Sequence, residues 1–148
     1  MKLKTRALGT LAGISMLFAV TGVEAADRPY SEGPVVQVSA VRTQPGMFEE
    51  YMKYLAGPYK QFMEDSKKAG LILDYSVYSA MPRGPDDPDL YLTVVYKNYA
   101  ALDGLTERSD ALTEKIWGNM TQQMEADVKR GQLRTILGDE VIRELVLK

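Results

Sequence analysis

In "LILDYSVYS", Leu71–Ser79, the polar residues Asp74, Ser76 and Tyr78 alternate, so an extended chain would present all three on one side. The same alternation places Ser39, Tyr91, Thr93 and Glu144 within strand-like runs elsewhere. A carboxylate moved out of water holds its proton more tightly, which makes Asp74 and Glu144 candidate acids or bases, and Tyr78 is a catalytic candidate beside them. Ser39, Ser76, Tyr78, Tyr91 and Thr93, together with Asp74, offer hydrogen bonds to a small oxygenated or aromatic ligand. The competing expectation leaves each carboxylate at a wet rim or paired with Arg42 or Arg143, and the hydroxyls in cross-strand pairs.

Two absences narrow the chemistry. The chain has no Cys, hence no thiol nucleophile, disulfide or thiolate metal site. It also has no His, which removes the usual general base, the Ser-His-Asp arrangement and imidazole-bound zinc, copper or haem. "PDDPD", Pro85–Asp89, gathers three acids but lacks the ligand spacing of a calcium loop and reads as a solvated turn. No Gly-rich phosphate loop is present, and no cofactor or metal is expected.

The elements that must position these groups begin after a leader. Lys2, Lys4 and Arg6 precede the short apolar run "ALGTLAGISMLFAV", and Val23 and Ala25 suit the −3 and −1 positions of a cleavage site. This predicts a signal peptide over residues 1–25, an extended leader over 26–34, and one domain over 35–148 in the periplasm or outside the cell. Cleavage removes three cations and one anion and takes the formal charge from −2 to −4, which argues against nucleic acid as partner. Once the leader is gone, no segment suggests membrane attachment.

Period-two patterning predicts strands at Val35–Thr43, "LILDYSVYSA", Leu90–Lys97 and Val141–Leu147. A helix carrying Phe48, Tyr51, Leu55, Tyr59 and Phe62 on one face should kink, not stop, at Gly57-Pro58, because the stripe stays in phase across it. Its aromatics, with Tyr54 off the stripe, read as packing. Gly70 should end that helix and Asn98 should cap a short turn. A second helix is expected from about Thr106 to Arg130, ended by Gly131, with Leu112, Ile116, Met120, Met124 and Val128 as its stripe and Trp117 packed beside it.

The order β-α-β-β-α-β predicts an α+β, ferredoxin-like domain: a four-stranded antiparallel sheet with both helices on one face. The more apolar set, expected beneath the helices, is Val36, Val38, Ala40, Leu73, Tyr75, Val77, Leu90, Leu92, Val94, Tyr96, Val141, Leu145 and Leu147. Arg143 interrupts that set and is expected at its rim. The other set mixes Val35, Gln37, Ser39, Val41, Ile72, Tyr91, Thr93, Val95, Ile142, Glu144 and Val146 with Asp74, Ser76 and Tyr78. Such a face is too apolar for bare water and predicts a C2 homodimer enclosing a ligand between two sheets.

This element order, with "QPGMFEEYMKYL" entering the first helix, "YKNYAALDGL" after the third strand and the tail "RTILGDEVIRELVLK", resembles the dimeric α/β-barrel superfamily over Val35–Lys148. That group includes antibiotic-biosynthesis-monooxygenase-like and NIPSNAP-like domains, and the resemblance is to exported bacterial members without assigned activity. It implies a homodimer and allows three roles: a small-molecule binder, a cofactor-independent monooxygenase or isomerase, or a structural domain whose sheet face serves only dimerisation. The group's haem-ligating His has no counterpart here, nor do the oxygenases' catalytic Asn and Trp.

Overall fold

The computed structural model describes residues 28–148, so the expected signal peptide and the start of the leader lie outside the described residues. Four antiparallel strands form one sheet in the order β2-β3-β1-β4: β1 Tyr30–Thr43, β2 Asp74–Ser79, β3 Leu90–Tyr96 and β4 Arg134–Leu147. Helices α1 Phe48–Tyr54, α2 Lys60–Lys68, α3 Leu105–Trp117 and α4 Met120–Leu133 connect them. This is the ferredoxin-like fold that the sequence predicts.

The first helical segment bends where expected. Pro58 removes a helical donor, Gly57 leaves helical geometry, and a wide turn over Leu55–Tyr59 joins α1 to α2. Because the turn keeps the stripe in phase, Tyr51, Leu55 and Tyr59 are all buried, against Val41 of β1 and Leu90 of β3. Val35, Ile72 and Tyr96 form a second buried cluster beneath α2 and the start of α3. Each such side chain contributes roughly 1.5–3 kcal/mol of transfer free energy. Gly70 takes the left-handed conformation that ends α2, and the Asn98 side chain accepts the amide of Ala101 (3.0 Å).

Four expectations are corrected. The second helix is two helices: Gly118, with φ +81°, breaks it, and Asn119 and Gln122 start α4 with a reciprocal capping box. Gly131 does not end α4, which runs on to Leu133. The strands β1 and β4 are longer than predicted, because β1 starts at Tyr30 and β4 at Arg134, and the two pair along their length with a bulge near each end.

The fourth correction concerns phase. Residues directly paired across antiparallel strands share a face. Val35, Gln37, Ser39 and Val41 pair with Tyr96, Val94, Leu92 and Leu90, so this row lies under the helices. Val36, Val38 and Ala40 therefore face the other way, opposite to the expected assignment. Leu73 is exposed while Ile72, just before β2, is buried, again the reverse of expectation.

Candidate functional site

The side chains singled out in the sequence fall into two groups. Asp74, Ser76 and Tyr78 pair with Val95, Thr93 and Tyr91, and Val95, Thr93 and Tyr91 pair in turn with Val36, Val38 and Ala40. Five of the six ligand-binding candidates thus share the open face of the sheet, beside Val36, Val38 and Ala40 of β1. Ser39 does not join them. It lies on the helix-side row and donates its hydroxyl to Asp139.

The acids do not behave as desolvated catalysts. Asp74 is exposed at the edge of the sheet and accepts a hydrogen bond from Lys67 of α2 (2.8 Å), which holds its carboxyl below the usual range. Neither Arg42 nor Arg143 is its partner: Arg42 pairs with Asp86, and Arg143 with Glu32 while stacking on Tyr99 (4.6 Å). Glu144 stands on the opposite edge strand, at the bulge, where Gly33 leaves room for it; a Cβ there would come within 3.1 Å of its Cβ. The acids of "PDDPD" hold protein groups. Asp87 accepts the amides of Arg83 and Gly84, and Asp89 accepts the amide and hydroxyl of Thr43.

The open face is hollowed between β1 and β4. A depression of about 370 Å³ is lined by Val38, Ala40, Tyr91, Glu140 and Ile142, and Gly138 deepens it by lacking a side chain. Glu140, not Glu144, is the carboxylate there.

A second cavity lies on the helix side and was not legible from the strand pattern. Its volume is about 400 Å³. Phe62, Met63 and Ser66 of α2 form one wall, Val94 and Tyr96 of β3 the floor, and Leu105, Thr106, Ser109, Asp110 and Thr113 of α3 the other wall; Met120 and Gln123 of α4 complete the lining. The lining is chiefly apolar. Tyr96 donates its hydroxyl to Gln37 of the neighbouring strand β1 (3.3 Å), and burial raises its pKa.

Three polar side chains of this cavity each donate to a nearby backbone carbonyl. Ser109 donates to the carbonyl of Thr106 (3.0 Å), Thr113 to that of Ser109 (3.1 Å), and the Gln123 amide to that of Gly118 (2.7 Å). The Ser109 and Thr113 oxygens, the Gln123 carbonyl and the Asp110 carboxylate remain as acceptors, while the second Gln123 N–H and the Ser66 and Thr106 hydroxyls can also donate. The sequence signal was present in the spacing of Thr106, Ser109 and Thr113, three and four residues apart and so on one face of α3. Trp117 packs where expected, its ring 5.1 Å from that of Phe62.

Among the described residues no helix is long and apolar enough to cross a membrane. No protein-family model and no curated protein matches the chain. Solved structures do. Protein SO0527 from Shewanella oneidensis is similar at 13% identity with a TM-score of 0.50, covering 79% of this chain and 96% of that one. A dimeric ferredoxin-like protein from an uncultured marine organism is similar at 14% identity, TM-score 0.48, covering 80% and 98%. HapK from Hahella chejuensis aligns at 8% identity, TM-score 0.46, covering 74% and 91%. Likeness at such identities concerns the fold alone.

Proposed function

We propose that this ferredoxin-like domain is an exported, homodimeric binding protein for a small, mostly apolar molecule that carries a hydrogen-bond donor. The observation behind this reading is the helix-side cavity: about 400 Å³, apolar, with spare acceptors on α3 and α4. Ligand pockets of roughly 300–1,000 Å³ with a few placed polar groups are the usual form of such sites. The ligand site therefore moves from between two sheets, where the alternation suggested it, to beneath the helices. The open sheet face, with Val36, Val38, Tyr91 and Ile142 uncovered by any described element of the same chain, supports the homodimer. The basic and apolar N-terminal pattern supports export to the periplasm or beyond.

Calorimetry with 1-naphthol and 1-methoxynaphthalene tests the reading, since the second masks the donor of the first. Wild-type protein should favour 1-naphthol by about two- to tenfold, the worth of one net hydrogen bond. Ser109→Phe should fill the cavity and abolish binding with the circular dichroism spectrum unchanged. If Ser109→Phe binds normally and Tyr91→Ala does not, the ligand occupies the open-face hollow and the helix-side reading is wrong. The enzymatic alternative, a cofactor-free oxygenase or isomerase, has one observation in its favour: Asp110 is a carboxylate in the cavity wall. Turnover of a co-purified ligand that is lost in Asp110→Asn, with binding retained, would establish that role.

A further inference from the structure

Among the residues that line the helix-side cavity, Asp110 is the one charged side chain. It is exposed, so it stands where the cavity meets solvent. Its carboxylate makes no ion pair or hydrogen bond among the described residues. The cations of α3 are engaged elsewhere. Arg108 donates to the carbonyls of Ala101, Asp103 and Gly104, and Lys115 pairs with Asp65 of α2 (2.8 Å). One turn along the helix from Asp110, in either direction, stand Thr106, Glu107, Thr113 and Glu114, none of them a cation. The cavity therefore has a negative charge at its mouth and no positive charge in its lining to offset it.

We infer that the cavity takes an organic cation: an apolar body seated beneath the helices, with a primary ammonium at the mouth held by Asp110. This rests on the binding reading above and names the hydrogen-bond donor which that reading requires. An ammonium has three N–H donors and no acceptor. Asp110 supplies the countercharge. Ser109, next to it, and Thr113, one turn on, give their own protons to helix carbonyls, so their oxygens are left to accept. Phe62 and Tyr96 belong to the same lining, and aromatic rings attract cations through their faces. The donors on Ser66, Thr106 and Gln123 serve a neutral ligand equally well and do not select among charges. Asp110 does select, because a ligand carboxylate would meet it as an uncompensated like charge.

Three probes with one naphthalene body test this: 1-naphthylmethylamine, a cation at neutral pH, the neutral 1-naphthylmethanol, and the anion 1-naphthoate. Calorimetry on the wild-type protein should rank them in that order. At low salt the amine should lead the alcohol by about five- to tenfold, the range for a hydrogen-bonded ion pair at a wet rim. The lead should shrink in roughly 1 M salt, which screens an exposed pair. Asp110→Asn keeps an acceptor but no charge, so it should bring the amine level with the alcohol and leave the alcohol's affinity nearly unchanged. Asp110→Lys should reverse the order in favour of 1-naphthoate. Equal wild-type affinities for amine and alcohol, or an amine affinity that Asp110→Asn leaves intact, overturn the inference and make Asp110 a solvated rim acid; the cavity reading then stands on the alcohol. No binding of any of the three overturns both readings. Amine binding that survives Ser109→Phe and is lost in Tyr91→Ala also overturns both, and puts the cation beside Glu140 in the open-face hollow.

Discussion

Among the described residues, all that are fully buried lie between Val35 and Tyr96, and none lies in the 97–148 stretch that holds α3, α4 and β4. The first region closes on itself. Its bent helix lays Tyr51, Leu55 and Tyr59 on β1 and β3, and Tyr96 and Gln37 satisfy each other within the same layer. The second region folds with its apolar stripe and outer strand still facing water. The same hydrophobic patterning therefore serves two ends: stability in the first region and, in our reading, assembly and ligand enclosure in the second.

The largest effect should come from truncating each region at a large apolar residue. Tyr51→Ala removes a buried ring stacked on Tyr54 (5.8 Å) and a hydroxyl that accepts from Arg134 (2.8 Å). It should cost about 3–5 kcal/mol in urea unfolding. Met124→Ala, in dilute monomeric protein, should cost no more than about 0.5 kcal/mol. Comparable losses at the two sites would break the contrast.

An intermediate effect is expected at the joint between α3 and α4. Gly118 has φ +81°, and a Cβ there would meet the Gln122 side chain that receives the Asn119 amide. Gly118→Ala should cost about 1–2 kcal/mol through left-handed strain and a disturbed cap. It should also weaken ligand binding, because α4 carries Gln123 and Met120 into the cavity lining. Unfolding and ligand titration of the same variant check both halves of the expectation.

A smaller effect, of opposite sign, belongs to Tyr59. Its ring packs edge-on against Tyr75 (6.2 Å), but its buried hydroxyl has no partner among the described residues. Tyr59→Phe should be neutral or stabilising by about 1 kcal/mol, since it removes a desolvated group that makes no hydrogen bond. Burial raises the pKa of Tyr59, and burial with the Glu64 carboxylate pushes Tyr75 up to about 12. Both rings stay protonated in the fold above the pH where free tyrosine ionises. Their contribution is therefore complete below about pH 10 and is lost as pH rises toward the folded values. An alkaline unfolding series should show that loss, reduced in Tyr59→Phe.

Element order, the Gly57-Pro58 bend and the Asn98 cap were legible because each rests on local chemistry: a periodic stripe, a missing donor, a side-chain acceptor. The face of β1 was not. Its inward row contains Gln37 and Ser39, satisfied by Tyr96 and Asp139, while its outward row is Val36, Val38 and Ala40. Apolar content tells a core face from a solvent face, but not from a face that a partner covers. The stripe drawn through Met120 and Val128 failed for a related reason. It assumed one continuous helix, and Gly118 reorients everything after it. The cavity stayed hidden because its hydroxyls on α3 point to no chemistry until α2 and β3 are placed opposite them.

The smallest expected effect is at the residue whose type first suggested catalysis. Asp74 is exposed, and the Lys67 ammonium lowers its pKa while Asp74 raises that of Lys67. Any stability from the pair is present between the two unfolded values, near pH ~4 and pH ~10.4. On the acid side it fades as pH falls through the depressed value of Asp74; on the alkaline side it is lost as pH rises through the elevated value of Lys67. Solvent and salt screen an ion pair this open. Asp74→Asn should thus leave ligand affinity unchanged near neutral pH and shift the acid unfolding midpoint only slightly, and only at low ionic strength. A large loss of ligand affinity in Asp74→Asn would return the site to the open face of the sheet, because Asp74 lies on that face and outside the cavity lining.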